Sequence, residues 1–187
     1  MTEQELINAP ECVLGIDPGL SGAVVKLGRG CLECRRDFKG LSDIADAIQE
    51  LSEGADTAAI EYVHSFPGQG SVSVFGFGRS TGVAFGALFC AGFGSVKPLE
   101  EVVPQVWQRY FRERCHLEKS ALFDSRTLAE KIVGQESVPF LQRVKDHGTG
   151  DALLIAAYRL LQGPLLKSRC LTPRLLRNSG LLPRALS

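Results

Sequence analysis

The segment that most constrains the fold lies near the N-terminus, at residues 12–25, and reads CVLGIDPGLSGAVV. A short apolar run there ends in an acidic residue, Asp17, and Pro18 and Gly19 follow at once. Pro18 presets φ and Gly19 supplies the freedom to turn, so the apolar run at residues 23–27 is expected to return as the second strand of a β-hairpin. A carboxylate at the end of a buried strand is costly unless it is paired. Asp17 therefore either caps the turn or faces a cation or a phosphate.

The length and composition are those of an ordinary globular protein. The 187 residues, 44% of them hydrophobic and 22% charged, are expected to form one domain at residues 12–163, between an N-terminal tail (1–11) and a basic C-terminal tail (164–187). The formal net charge is zero and gives no argument for a nucleic-acid partner, but six basic residues and no acidic one follow Asp151. Such a segment either contacts phosphates or is a solvated extension.

Targeting and membrane segments are not expected. Residues 1–11 contain acids and no arginine, unlike a signal or organelle-targeting peptide. The apolar run nearest to a membrane span, residues 80–96, is too short and is interrupted by four glycines. We therefore expect no membrane partner. The expected location is the cytoplasm or nucleoid of a bacterial or phage-like source, or an organelle only if a targeting peptide has been removed.

The six cysteines form no disulfide or metal-binding framework. Cys31 and Cys34 are a lone Cys-x-x-Cys pair without the second half that a zinc site requires. Reduced thiols are therefore the expectation, and a role for this pair stays open.

Hydrophobic periodicity predicts alternating strands and helices along the rest of the chain. A strand at residues 31–38, a helix at 41–51 and a strand at 57–63 follow the hairpin. A loop rich in glycine and phenylalanine then leads to a helix at 81–92, a strand at 95–97 and helices at 103–111, 121–133 and 151–161. This order indicates a mixed α/β domain.

Three acidic residues share one unusual property, which is that each lies in an otherwise apolar element. Asp17 and Glu61 are each on an apolar strand, and Asp151 opens an apolar helix, with His147 four residues before it. If the helical turn extends back to His147, this spacing places both side chains on one helix face. Three carboxylates and an imidazole would form a hard, oxygen-rich site for Mg²⁺ or Mn²⁺.

Each of these residues also has a purely structural interpretation. Asp17 before Pro-Gly is a common turn residue, and Glu61 could pair with a buried arginine such as Arg79. Asp151 is well placed to cap a helix or to lie in its first turn. His147 could be an ordinary loop histidine. The occurrence of all four together favours a metal site.

Four segments of the sequence, GIDPGLSGAVV, IEYVHSFPGQG, FGFGRSTGVAFGAL and DHGTGDALLIAAY, resemble the RuvC-type Holliday junction resolvases of the RNase H-like superfamily, most of all their phage and chloroplast branch. They occur in the family's order and span residues 13–158. The resemblance implies an α/β, RNase H-like fold with a five-stranded mixed β-sheet flanked by helices, and a homodimer. It also implies four metal-binding positions, which fall on Asp17, Glu61, His147 and Asp151.

The sequence departs from the family pattern near its last motif. The residue before the final acid is Gly150 rather than alanine, and Asp146 beside His147 is an alternative ligand for the third position. Many relatives also carry a lysine just before the helix that precedes this motif. Lys119 is the nearest residue of that kind, at a somewhat longer spacing.

The implied activity is that of a crossover junction endodeoxyribonuclease, which hydrolyses phosphodiesters in four-way junction DNA at paired sites. Two ions per active site, Mg²⁺ or Mn²⁺, about 3.5–4 Å apart would activate water and stabilise the leaving oxygen. Asp17 would bridge the two ions, Glu61 would hold one, and Asp151 with His147 would hold the other.

The loop rich in glycine and phenylalanine is the candidate for choosing the substrate. Phe66 is predicted to stack on an unpaired base at the junction centre, and Arg79 is a candidate phosphate contact. Phe75 and Phe77 are expected to be core residues. The small-residue helix at 81–92 either crosses the twofold axis of the implied dimer or packs against its own sheet.

Three other classes of protein remain open. A ribonuclease acting on structured RNA would keep the fold, and a non-catalytic protein that binds branched DNA would keep the substrate. Sugar kinases and actin-like ATPases also open with a Gly-Ile-Asp-x-Gly turn, but they need two such domains, for which 187 residues are few.

Overall fold

The computed structural model describes residues 12–28, 31–62, 64–65, 68–117, 122–133, 141 and 147–162. These residues form five strands, which are β1 (Cys12–Asp17), β2 (Ala23–Gly28), β3 (Cys31–Asp37), β4 (Thr57–Glu61) and β5 (Leu99–Val102). They also form five helices, which are α1 (Leu41–Leu51), α2 (Ser71–Cys90), α3 (Pro104–Arg114), α4 (Ser125–Val133) and α5 (His147–Leu161).

All five strands belong to one mixed sheet, in the spatial order β3-β2-β1-β4-β5. β1 and β2 form the expected hairpin, with Asp17 opposite Ala23, and β3 continues antiparallel beside β2. β4 runs parallel to β1, with Ile16 beside Ile60, and β5 runs parallel to β4. The carboxyl ends of β1, β3, β4 and β5 therefore lie at the same edge of the sheet. This topology confirms the expectation of a five-stranded mixed sheet flanked by helices.

Side-chain alternation along β1 divides the hydrophobic core between the two faces of the sheet. Val13 belongs to the cluster formed with α3, α4 and α5, whereas Leu14 and Ile16 belong to the cluster formed with α1 and α2. Helix α5 contacts the sheet on one side and α3 and α4 on the other. Every residue at positions 148–158 except Asp151 is buried. A helix covered on both sides has to be apolar all round, which explains its sequence.

Gly15, in the middle of β1, lets α5 approach the sheet at backbone contact. A Cβ atom at this position would lie 2.0 Å from the carbonyl oxygen of Ala152 and 2.6 Å from the backbone nitrogen of Ala156. No other residue leaves this space empty, so the glycine fixes how closely the helix that carries Asp151 lies over the strand that carries Asp17.

The start of α2 differs from the sequence-based expectation. The helix begins at Ser71, so the glycine- and phenylalanine-rich residues up to 78 are helical rather than part of a loop. Each glycine in a helix interior costs about 1 kcal/mol, which weakens the helical signal in the sequence. The helix is stabilised by its packing against α1, a tertiary contact that local sequence propensity does not show.

Two other boundaries differ for local reasons. The last strand follows Pro98 instead of preceding it, because the Pro98 carbonyl accepts the N–H of Ala58 at 3.0 Å and so starts the pairing with β4. Helix α4 begins at Ser125 rather than at residue 121. The carboxylate of Asp124 accepts the backbone N–H of Thr127 at 3.2 Å, which is the geometry of an N-cap.

Helix α2 is both apolar and largely exposed. Its 20 residues are long and apolar enough to cross a membrane by length and composition alone, although only Ser80, Ala84 and Leu88 are buried. The expectation that no apolar segment reaches this length is therefore wrong, because the helix starts earlier than the apolar run. The expected absence of a membrane partner stays a prediction. The expectation of a core position is also wrong for Phe75, which is 69% exposed, while Phe77 is half-buried.

Candidate functional site

Asp17 is the last residue of β1 and lies at the turn of the hairpin. Its Oδ1 accepts the backbone N–H of Gly19 at 3.0 Å, so the carboxylate does cap the turn. The pKa of Asp17 is raised to about 6, mainly by burial; the Gly19 hydrogen bond lowers it, and the charge of Asp151 raises it. Asp17 thus caps the turn, which confirms one of its two expected roles; that it also faces a cation or a phosphate stays a prediction.

Glu61 is the last residue of β4 and follows Ile60, which pairs with Ile16 in the parallel register, just as Asp17 follows Ile16. The pKa of Glu61 is raised to about 8, mainly by burial and in smaller part by the charges of Asp17 and Asp151. The indole Nε1 of Trp107 donates a hydrogen bond to Glu61 Oε1 at 3.2 Å and opposes the rise. The suggested partner Arg79 is instead exposed on α2, with its guanidinium 5.9 Å from the centre of the Phe75 ring.

Asp151 lies in the second turn of α5, because the helix begins at His147. It is therefore neither the cap nor a first-turn residue, and the structural interpretation of this acid is wrong. Burial raises the pKa of Asp151, while a hydrogen bond from Ser125 and the charge of His147 lower it. The i, i+4 relation between His147 and Asp151 on one helix is confirmed, and His147 itself is exposed.

The first turn of α5 is placed against the hairpin turn by Gly148. A Cβ atom at this position would lie 2.7 Å from the carbonyl oxygen of Ser21 and 3.1 Å from Asp17 Oδ2. Any larger residue would push the helix away from Asp17. The glycine was not among the residues singled out in the sequence, because its importance depends on a contact with a segment more than a hundred residues away.

A hydrogen bond between α5 and β3 fixes the same turn from the other side. The hydroxyl of Thr149, which is buried, donates to Oδ1 of Asp37 at 2.5 Å. Asp37 ends β3 and pairs with Ala23, which in turn lies opposite Asp17. Asp37 is thus a further carboxylate at this edge of the sheet. In the sequence it follows two arginines, and an acid in such a charged segment is not a distinctive signal of a site.

The three elements β1, β4 and α5 therefore bring Asp17, Glu61 and Asp151 near enough for their charges to act on one another. The charge of Asp151 raises the pKa of Asp17, and the charges of Asp17 and Asp151 raise that of Glu61. Carboxylate oxygens of this kind are the donors that Mg²⁺ and Mn²⁺ prefer. Within the described ranges, no three His, Cys, Asp or Glu side chains are already grouped closely enough to hold an ion. The donor set fits a hard divalent cation, which would draw the carboxylates together as it binds.

Three of the residues singled out in the sequence, Phe66, Lys119 and Asp146, lie outside the described residues. Their roles as junction wedge, DNA contact and alternative ligand stay predictions. Cys90 and Cys115 are not in disulfides, and the reduced state of the thiols stays a prediction.

Solved structures with a similar fold identify the fold of this chain. The chain is similar to T. thermophilus RuvC in complex with a Holliday junction substrate, with a TM-score of 0.56 and 18% identity over 79% of this chain and 90% of that one. It is also similar to Thermus thermophilus RuvC in another structure, with a TM-score of 0.51 and 21% identity over 79% of this chain and 92% of that one.

A third similar structure is that of the yeast mitochondrial Holliday junction resolvase Ydc2, with a TM-score of 0.54 and 13% identity over 89% of this chain and 83% of that one. No protein-family model and no curated protein sequence matches the chain. At identities this low the likeness concerns the fold, and it confirms the expected RNase H-like α/β fold. The expected closeness to the phage and chloroplast branch stays a prediction.

Proposed function

We propose that this protein is a structure-selective endonuclease that resolves four-way DNA junctions by divalent-metal-dependent hydrolysis. One observation carries the proposal: Asp17 and Glu61 end two neighbouring parallel strands, and the charge of Asp151 on the helix above acts on both of them. Buried carboxylates that repel one another are unfavourable unless a cation or protons neutralise them. The likeness in fold to a RuvC structure that holds a Holliday junction supports a branched DNA as the substrate.

The proposed metal ligands are Asp17, Glu61, Asp151 and His147, and the metal is Mg²⁺ or Mn²⁺. Two such ions, when bound, supply an activated water and stabilise the charge on the phosphate and on the leaving oxygen. Asp17 would bridge the two ions, because its charge acts on Glu61, the charge of Asp151 acts on it in turn, and its Oδ1 is already held by the backbone N–H of Gly19. The position of His147 one helical turn before Asp151 suits it to hold the same ion or to orient the attacking water.

Each of the three carboxylates accepts a hydrogen bond from a neighbouring residue, which limits its rotation. Trp107 donates to Glu61, Ser125 donates to Asp151, and the backbone of Gly19 donates to Asp17. Donors of this kind orient ligands and tune metal affinity. These hydrogen bonds thus limit how the three carboxylates can rotate at this edge of the sheet.

Selection of a junction is proposed to involve a pair of active sites in a homodimer. A four-way junction has two equivalent strands to cut, and a twofold enzyme presents one site to each. The exposed face of α2 is the proposed contact, since Val72, Phe75 and Phe89 are respectively 85%, 69% and 57% exposed in the single chain. Phe66 is the proposed wedge at the junction centre, and Arg79 is a proposed phosphate contact.

A cleavage assay tests this function. The wild-type protein is incubated with a mobile four-way DNA junction, a matched duplex and an RNA hairpin, each with Mg²⁺, with Mn²⁺ and with a chelator. We expect paired nicks in the junction that require metal, and little cleavage of the other substrates. Preference for the RNA hairpin would favour a structured-RNA ribonuclease. Junction binding without any metal-dependent nick would favour a non-catalytic binding protein.

The variant Asp17→Asn tests whether Asp17 is required for junction cleavage. It keeps an oxygen for the Gly19 hydrogen bond but removes the charge that would bridge the ions, so we expect junction cleavage to fall by about 100-fold or more. Asp46→Asn is the matched control, because Asp46 is exposed on α1, on the other face of the sheet from α5. Cleavage by Asp17→Asn within about tenfold of wild type would contradict the assignment.

A further inference from the structure

Trp107 is the only tryptophan in the chain, and it is fully buried beside the candidate site. Its indole nitrogen donates to Oε1 of Glu61 at 3.2 Å, across 46 positions of sequence. An indole N–H is a donor only, and a buried donor needs an acceptor. The acceptor here is one of the three acids of the proposed metal site, which makes Trp107 more than a filler of the core.

The ring of Trp107 is fixed in place by its surroundings. Helix α3 begins at Pro104, which stabilises the first turn, and Trp107 follows in the next. The ring of Phe123 meets the indole edge-on, with 5.5 Å between centroids and 69° between planes. The guanidinium of Arg112 lies over the Phe123 ring, 5.1 Å from its centroid. These contacts fix the orientation of the indole ring, so that its N–H points toward Glu61.

We propose that Trp107 is a positioning residue, whose indole N–H holds Oε1 of Glu61 at the sheet edge and so presents Oε2 to the cation shared with Asp17 and Asp151. This inference rests on the proposed metal-dependent function. The charges of Asp17 and Asp151 repel Glu61, so a carboxylate without this hydrogen bond is expected to turn away from the other two. Packing alone needs no N–H, because a phenylalanine would occupy most of the same space.

The first test uses the wild-type protein without DNA. Because Trp107 is the sole tryptophan, its fluorescence, excited at a wavelength that tyrosine does not absorb, reports on the surroundings of its indole, which include Glu61. Mg²⁺ is diamagnetic and does not quench it directly. We expect the emission to change on titration with Mg²⁺, with the same midpoint as binding followed by calorimetry, and not to change in Asp17→Asn. Calorimetric Mg²⁺ binding with no change in emission would overturn the proposal.

The second test separates positioning from stability. Trp107→Phe removes the N–H and should weaken Mn²⁺ binding by about 10–100-fold in calorimetry, as loss of a group that orients a metal ligand does. Phe111→Leu is the control, since Phe111 is buried on the same helix and in the same cluster. It should lose thermal stability while binding Mn²⁺ as wild type does.

The outcomes distinguish this proposal from the one on which it rests. Equal Mn²⁺ affinity in Trp107→Phe and wild type would overturn the positioning role and leave the nuclease proposal intact. Equal weakening in Trp107→Phe and Phe111→Leu would also overturn it, since a general loss of packing would then explain both. A wild-type protein that binds neither Mg²⁺ nor Mn²⁺ would overturn both proposals.

Discussion

Replacing Gly15 by alanine tests whether α5 lies directly on β1. The added Cβ would meet the Ala152 carbonyl oxygen at 2.0 Å and the Ala156 nitrogen at 2.6 Å. Both atoms belong to the backbone, so no side-chain rotation relieves the overlap, and the helix has to move by more than roughly 1 Å. Overpacking of a core costs about 1–3 kcal/mol, and a contact with two backbone atoms places this variant near 3 kcal/mol. The shift would also move Asp151 away from Asp17.

The assay is unfolding in urea, followed by circular dichroism, with Gly76→Ala as the matched control. Gly76 is in α2, and an added Cβ there meets nothing within 4 Å. Alanine in place of a helical glycine should therefore stabilise the protein by about 0.5–1 kcal/mol. We expect Gly15→Ala to be much less stable than wild type and Gly76→Ala to be slightly more stable. A Gly15→Ala protein as stable as wild type would mean that α5 is not packed on β1 as described.

Three further predictions concern the site. The pKa values of Asp17 and Glu61 are raised to about 6 and about 8, so the folded state holds more protons than the unfolded one. The free energy of unfolding of the metal-free protein should therefore fall, by several kcal/mol, as the pH rises from about 4 to about 8. Excess Mg²⁺ at pH 8 should restore it, and a melting temperature that rises over this pH range would be inconsistent with a carboxylate cluster. Thr149→Val removes the hydroxyl that Asp37 accepts and should cost about 1 kcal/mol in chemical denaturation, with Thr149→Ser close to wild type; equal stabilities of the two variants would show that the bond contributes nothing. Phe66→Ala should lower junction cleavage by about tenfold or more, as loss of base stacking does, with Mg²⁺ affinity unchanged in calorimetry; equal losses in both would exclude a wedge.

The parts of the fold that depend on local pattern were predictable from the sequence. The apolar spacing in α1 gives the helix the bounds that the structure has, Leu41–Leu51. The Asp-Pro-Gly turn places β2 beside β1, and acids at the ends of apolar strands mark Asp17 and Glu61 as neighbours. Proximity of such acids is predictable, because the carboxyl ends of neighbouring parallel strands lie at the same edge of the sheet.

The parts that depend on tertiary contact were not predictable. The glycines at 15 and 148 look alike in sequence to those in α2, and only the packing of α5 shows that they cannot be replaced. The role of the Trp107 indole depends on its hydrogen bond to Glu61, which lies on another element. The early start of α2 and the exposure of Phe75 reflect packing against α1, which a glycine-rich sequence does not reveal.

The proposal that Asp17, Glu61 and Asp151 share divalent cations can be examined by crystallography with Mn²⁺. Crystals grown or soaked in Mn²⁺ would be measured at a wavelength where manganese scatters anomalously. We expect two anomalous peaks about 3.5–4 Å apart, with Asp17 between them and Glu61 and Asp151 on either side. A map with no peak at these carboxylates, from crystals in which Mn²⁺ is present in excess, would contradict the metal-dependent nuclease.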